Sequence, residues 1–75
     1  MGKRVEVMSE VTGNVWKVLA VDGQRVAEGD ALVIVESMKM EIPVEAPCAG
    51  TVRQLSCAEG QPVAEGEVVA VIEAD

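Results

Sequence analysis

The chain has 75 residues, 49% of them hydrophobic and 25% charged, which is enough for one small domain, taken as residues 1–75, and leaves no room for a second. Thirteen acids against six bases give a net charge of −7, arguing against a nucleic-acid partner, because cationic side chains supply most of the affinity for a phosphate backbone. Histidine and tyrosine are both absent, which removes the usual general base, the Ser-His and Cys-His nucleophile pairs and the commonest metal ligand, so no catalytic or metal residues are expected.

No apolar run exceeds five residues, too few for a bilayer span or a signal-peptide core. A soluble, cytoplasmic protein without a membrane partner is therefore expected. Cys48 and Cys57 are nine residues apart, lack CxxC spacing and sit among small apolar neighbours. They read as reduced thiols in or near the core, although a single bridge between them is formally possible.

An internal repeat organises the chain. Residues 13–37 match residues 50–74 at an offset of 37 without a gap, with nine identities in 25 positions, among them Gly13/Gly50, Gly23/Gly60 and Gly29/Gly66. Three paired glycines suggest three turns, each made twice. Fifteen valines and three isoleucines against three leucines favour strands over helices.

Taken in chain order, residues 15–20 form the first strand of the repeat, with Asp22-Gly23 as the turn after it and residues 27–30 as a second turn. Residues 31–35 are an apolar run bounded by Asp30 and Glu36, suited to a strand buried on both sides. The second half repeats these elements: a strand at 52–57, turns at Glu59-Gly60 and at 64–67, and a strand at 68–72. Short strands with frequent turns indicate an all-β sandwich or flattened barrel. A domain this small has little volume for an internal pocket, so function is sought on an edge or a turn.

The halves differ after Ser37, where the first copy continues through Met38-Lys39-Met40 to Pro47 and the second ends at Asp75. Val35 and Ile42 are strand-like, with a short polar and thioether stretch between them, which reads as a hairpin with its turn near Met38 and Lys39 and with Lys39 at the tip. Neither central residue is Gly, Asn or Asp, so something other than turn propensity must hold this turn. A single methionine here could fold back as gap-filler on the barrel edge; two of them flanking one lysine at an apex favour a recognition surface. Pro43 is expected where no ladder hydrogen bond is needed, as at an edge.

The segment Glu36-Ser37-Met38-Lys39-Met40, with Val44-Glu45-Ala46-Pro47 and Gly50 downstream, resembles the E-A-M-K-M attachment motif of biotinyl domains in the biotin/lipoyl attachment family. The resemblance implies a flattened barrel of two four-stranded antiparallel sheets related by a pseudo-two-fold, with the modified lysine on an exposed hairpin and the termini at the opposite end. Carried over residue by residue, it makes Lys39 the covalent attachment point for biotin, flanked by Met38 and Met40 as the methionines that partners read. Ser37 stands where most members have alanine. The implied partners are a biotin protein ligase, a biotin carboxylase and a carboxyltransferase, with the chain as a non-catalytic carrier. A lipoyl carrier is the nearest alternative, but its lysine is flanked by acidic and small residues. A third reading, an unmodified barrel serving as a protein-interaction module, leaves the methionine-flanked tip unexplained.

Overall fold

The computed structural model describes residues 3–75. Eight strands follow in order: β1 (Lys3–Met8), β2 (Gly13–Val18), β3 (Arg25–Val26), β4 (Ala31–Ser37), β5 (Met40–Glu45), β6 (Gly50–Leu55), β7 (Pro62–Val63) and β8 (Val68–Ala74). They form two antiparallel four-stranded sheets, β1-β8-β6-β3 and β5-β4-β2-β7. The expected flattened barrel-sandwich is thus the observed architecture.

Between the sheets lies a thin core dominated by valine. Leu32, Val33, Val35, Val52, Val69 and Ile72 are fully buried, and compact β-branched side chains fill so narrow a gap without leaving voids. The apolar run of β4 is covered on its inner face rather than on both. Leu32 is an extra residue in the register between Ala31↔Glu45 and Val33↔Val44, so a bulge turns two consecutive side chains inward. Ile34 points outward and is only half-buried. Val69 plays the part of Leu32 in β8.

The symmetry is more extensive than the sequence indicates. The register Gly29 N–H to Ala46 carbonyl and Ala46 N–H to Asp30 carbonyl recurs, 37 residues on or back, as Gly66 to Ser9 and Ser9 to Glu67. β1 is therefore the counterpart of β5, and the segment after Ser37 that seemed to break the repeat is its continuation. Only Val7/Val44 is identical over residues 3–12 and 40–49, because a strand needs alternation rather than particular residues. The halves also interlock. Gly23 N–H and Gln24 carbonyl bond Val52 of the second half, and Gly60 N–H and Gln61 carbonyl bond Val15 of the first. Asp22 and Glu59 carboxylates likewise accept from the N–H groups of Leu55 and Val18.

Two of the three glycine pairs form the turns expected of them, with φ between 85° and 91° at Gly23, Gly29, Gly60 and Gly66. Gly13 and Gly50 do not turn. Each opens a strand where a Cβ would collide with the carbonyl oxygen of Glu36 or Glu73, so glycine is needed there for close approach. The first strand of each half also begins and ends two residues earlier than expected. Leu19 and Ala20 leave the ladder because both N–H groups converge on the Leu32 carbonyl, at 2.9 and 3.1 Å.

Met40 starts β5 and Gly50, ten residues on, lies beside Ala74. The tip pair Ser37↔Met40 maps, 37 residues on and back, onto the pair Ala74↔Lys3, so the pseudo-two-fold carries the hairpin end of the 39 Å long body onto the other end. The β4–β5 turn and the paired ends Lys3 and Ala74 consequently occupy opposite ends.

Candidate functional site

The register of β4 against β5 is set by the core, where Val33↔Val44 and Val35↔Ile42 are paired and Val33, Val35 and Val44 are buried. That register continues to Ser37↔Met40 and leaves two residues to reverse the chain. A two-residue hairpin that matches strand twist needs positive φ at both central positions, and Met38 and Lys39 adopt 51° and 66°. These are the only described non-glycine residues with positive φ, each at a cost of about 1–2 kcal/mol. Sheet packing therefore imposes the turn against local preference. Pro43, opposite Ile34, lies on the edge strand β5, as its missing N–H requires.

Lys39 projects into solvent with Met38 93% and Met40 63% exposed. The three residues singled out in the sequence are thus brought together at one tip, and neither methionine folds back onto the barrel. Lys39 forms no ion pair with any described residue. Two residues missed at the sequence level fasten the hairpin root. The Ser37 hydroxyl donates to the Thr12 carbonyl at 2.8 Å, and the Thr12 hydroxyl accepts from the Glu65 N–H at 3.0 Å. The only signal for the first was the serine in place of the usual alanine.

Beneath the tip, Glu36 and Glu41 are directly opposed across β4 and β5, and both are exposed. A groove of about 550 Å³ lies elsewhere, on the seam between β1 and β5 beside Met8, Glu10, Glu28, Glu45 and Pro47. At the tip Lys39 offers its amine to solvent, and neither of the two best-formed grooves is lined by Met38, Lys39 or Met40. Among the described residues no cluster of three or more His, Cys, Asp or Glu could hold a metal. Cys48 and Cys57 are free and half-buried against the core.

Comparison with known proteins places this geometry in a family. The biotin/lipoyl family model, described as "Biotin-requiring enzyme", matches residues 4–74. The chain is 51% identical over 43 residues to the mitochondrial methylcrotonoyl-CoA carboxylase subunit alpha of Oryza sativa subsp. japonica, a match covering 57% of this chain and 6% of the relative. It is 49% identical over 41 residues to a biotinylated protein TB7.3 homolog of Mycolicibacterium smegmatis, covering 55% of this chain and 58% of the relative. The matched segments therefore span less than two thirds of either relative. Among solved structures, the Kluyveromyces lactis urea carboxylase superposes with a TM-score of 0.89 at 38% identity, over 93% of this chain and 6% of that one. An all-β sandwich with pseudo-two-fold halves and a lysine on its hairpin tip, matched from residue 4 to residue 74, belongs to the biotin/lipoyl attachment family, among its biotin-requiring domains.

Proposed function

We propose that this domain is a non-catalytic biotin carboxyl carrier, with biotin held as an amide on Lys39 and presented in turn to a biotin carboxylase and a carboxyltransferase. The observation that carries the reading is the solvent-exposed Lys39 at the hairpin tip between two exposed methionines. Lipoyl carriers share the fold, but acidic and small residues flank their lysine, so Met38 and Met40 favour biotin.

The residues fit that cofactor. Lys39 is a primary amine in open solvent, and an amide there requires no change in the barrel. A biotin protein ligase supplies the acid as its adenylate; Lys39 Nζ attacks the acyl carbon, loses a proton, and AMP leaves. One cation is lost, so the formal charge goes from −7 to −8. Biotin, when attached, supplies the ring that carries the carboxyl group between the two enzyme sites. Met38 and Met40 give the ligase and enzymes an apolar grip beside the lysine. The imposed turn keeps the tip rigid and so limits the entropy lost on each docking. Tethering holds the cofactor near each site at an effective concentration of order mM.

Co-expression with a biotin ligase, followed by intact mass and peptide mapping, tests the reading. One biotin on Lys39 is expected. Lys39→Arg should abolish labelling and leave thermal unfolding unchanged. Lipoate on Lys39, no adduct, or labelling that survives the substitution would overturn it.

A further inference from the structure

The pseudo-two-fold provides an internal control for every surface residue, and on the outer faces of the sheets the halves part company. In β6, Arg53 is the extra residue of a bulge between Val52↔Ile72 and Gln54↔Val71, and its Nε reaches the Glu73 carboxylate at 2.5 Å. The matching bulge in β2 lies between Val15↔Val35 and Lys17↔Ile34, and there the extra residue is Trp16. Subtracting 37 turns Arg53 into Trp16 and Glu73 into Glu36. Trp16 thus holds the place from which an arginine would neutralise Glu36.

Glu36 is left doubly exposed to repulsion. It opposes Glu41 across β4 and β5, a like-charge pair that destabilises a sheet, and neither acid forms an ion pair with a described residue. Trp16, the sole aromatic residue, is 42% exposed. Its ring already attracts a cation, with Lys17 Nζ 5.5 Å from the ring centroid. By the same symmetry Trp16 stands next to Glu36, whose neighbour across the strands is Glu41, and an aromatic ring with unneutralised carboxylates on one sheet suits a guanidinium, which stacks on the ring and bonds a carboxylate through its planar donors.

We propose that Trp16, Glu36 and Glu41 form a docking surface for an arginine of the biotin carboxylase, which supplies in trans the contact that Arg53 makes in cis with Glu73. The proposal rests on the carrier reading above. It selects the carboxylase because an active site that binds ATP and bicarbonate is rich in cations complementary to this acidic face. Loss of the Lys39 cation on biotinylation leaves Glu36 and Glu41 with less compensating charge, so the surface attracts a cation more strongly once the carrier is loaded.

The test uses carrier loaded to completion with biotin, checked by intact mass, as substrate for a separately purified biotin carboxylase with MgATP and bicarbonate. Trp16→Arg should rebuild the Arg53–Glu73 arrangement within the first half and occupy Glu36. KM for the carrier should rise about tenfold, with kcat held, and with no fall in the thermal midpoint. Glu41→Gln, which cannot act through a new cis contact, should raise KM in the same direction and flatten its salt dependence. KM unchanged in both variants, or a rise confined to a carboxyltransferase reaction, would overturn the docking surface. Absence of biotin on Lys39 would instead overturn the carrier reading itself.

Discussion

Replacing Met38 by glycine should make the domain more stable while removing part of what its partners read. Met38 is 93% exposed at φ 51°, so truncation sacrifices almost no buried apolar area. What changes is the backbone. Relief of the left-handed conformation is worth about 1–2 kcal/mol, and glycine's greater freedom in the unfolded chain offsets about 0.5–1 kcal/mol of that. The net gain is about 0.5–1 kcal/mol. With an unfolding entropy of roughly 2.1 cal/mol/K per residue, this 75-residue chain gains about 6 °C in midpoint per kcal/mol, so the expected rise is about 3–6 °C. Thermal and urea unfolding of unlabelled protein measure it, with Met40→Ala as the control that should not rise, since Met40 is in the strand. A midpoint unchanged or lowered in Met38→Gly would refute the claim that sheet register holds the turn against its local preference. The same variant should be labelled more slowly by a biotin ligase, the compromise between stability and function common at strained sites.

Gly13→Ala and Gly50→Ala should each destabilise by about 1–3 kcal/mol, read by urea unfolding. Gly50 should be the worse, since its Cβ would also meet Ile72 Cγ2 at 2.8 Å and Ala74 Cα at 2.9 Å. Ser37→Ala should cost about 0.5–1 kcal/mol through loss of the hydroxyl bond to Thr12, and biotin labelling of Lys39 should persist. Burial, and secondarily the Glu67 carboxylate, push the Cys57 thiol above its ordinary value. A raised folded-state value favours the protonated thiol, so its contribution is complete below the unfolded thiol's pKa and is lost as pH rises through the folded one. Alkylation of native protein near pH 8–9 should accordingly be slower at Cys57 than for a free thiol, and Cys57→Ala should flatten the decline in stability at alkaline pH.

Where backbone geometry dictates a residue type, the sequence was readable. The glycines at 23, 29, 60 and 66 have positive φ, and they carry the repeat that revealed two halves. Where geometry demands only alternation, as in β1 and β5, nothing but Val7/Val44 survives, and half of the symmetry stayed hidden. Gly13 and Gly50 were misread because a turn and a close approach of two backbones both call for glycine. The tip was legible in Lys39 and its two methionines, but the positive φ at Met38 and Lys39 was visible only as a violation of turn chemistry. Ser37 and Thr12, far apart in sequence, could not be joined before the fold brought them together.

The placement of the hairpin and the Lys3–Ala74 junction at opposite poles of a body 39 Å long and 18 Å wide gives the molecule the mechanics of a crane jib. A support holding that junction would grip the far end of a stiff beam, and a pivot of about 30° there would sweep the load through roughly 20 Å without distorting a strand.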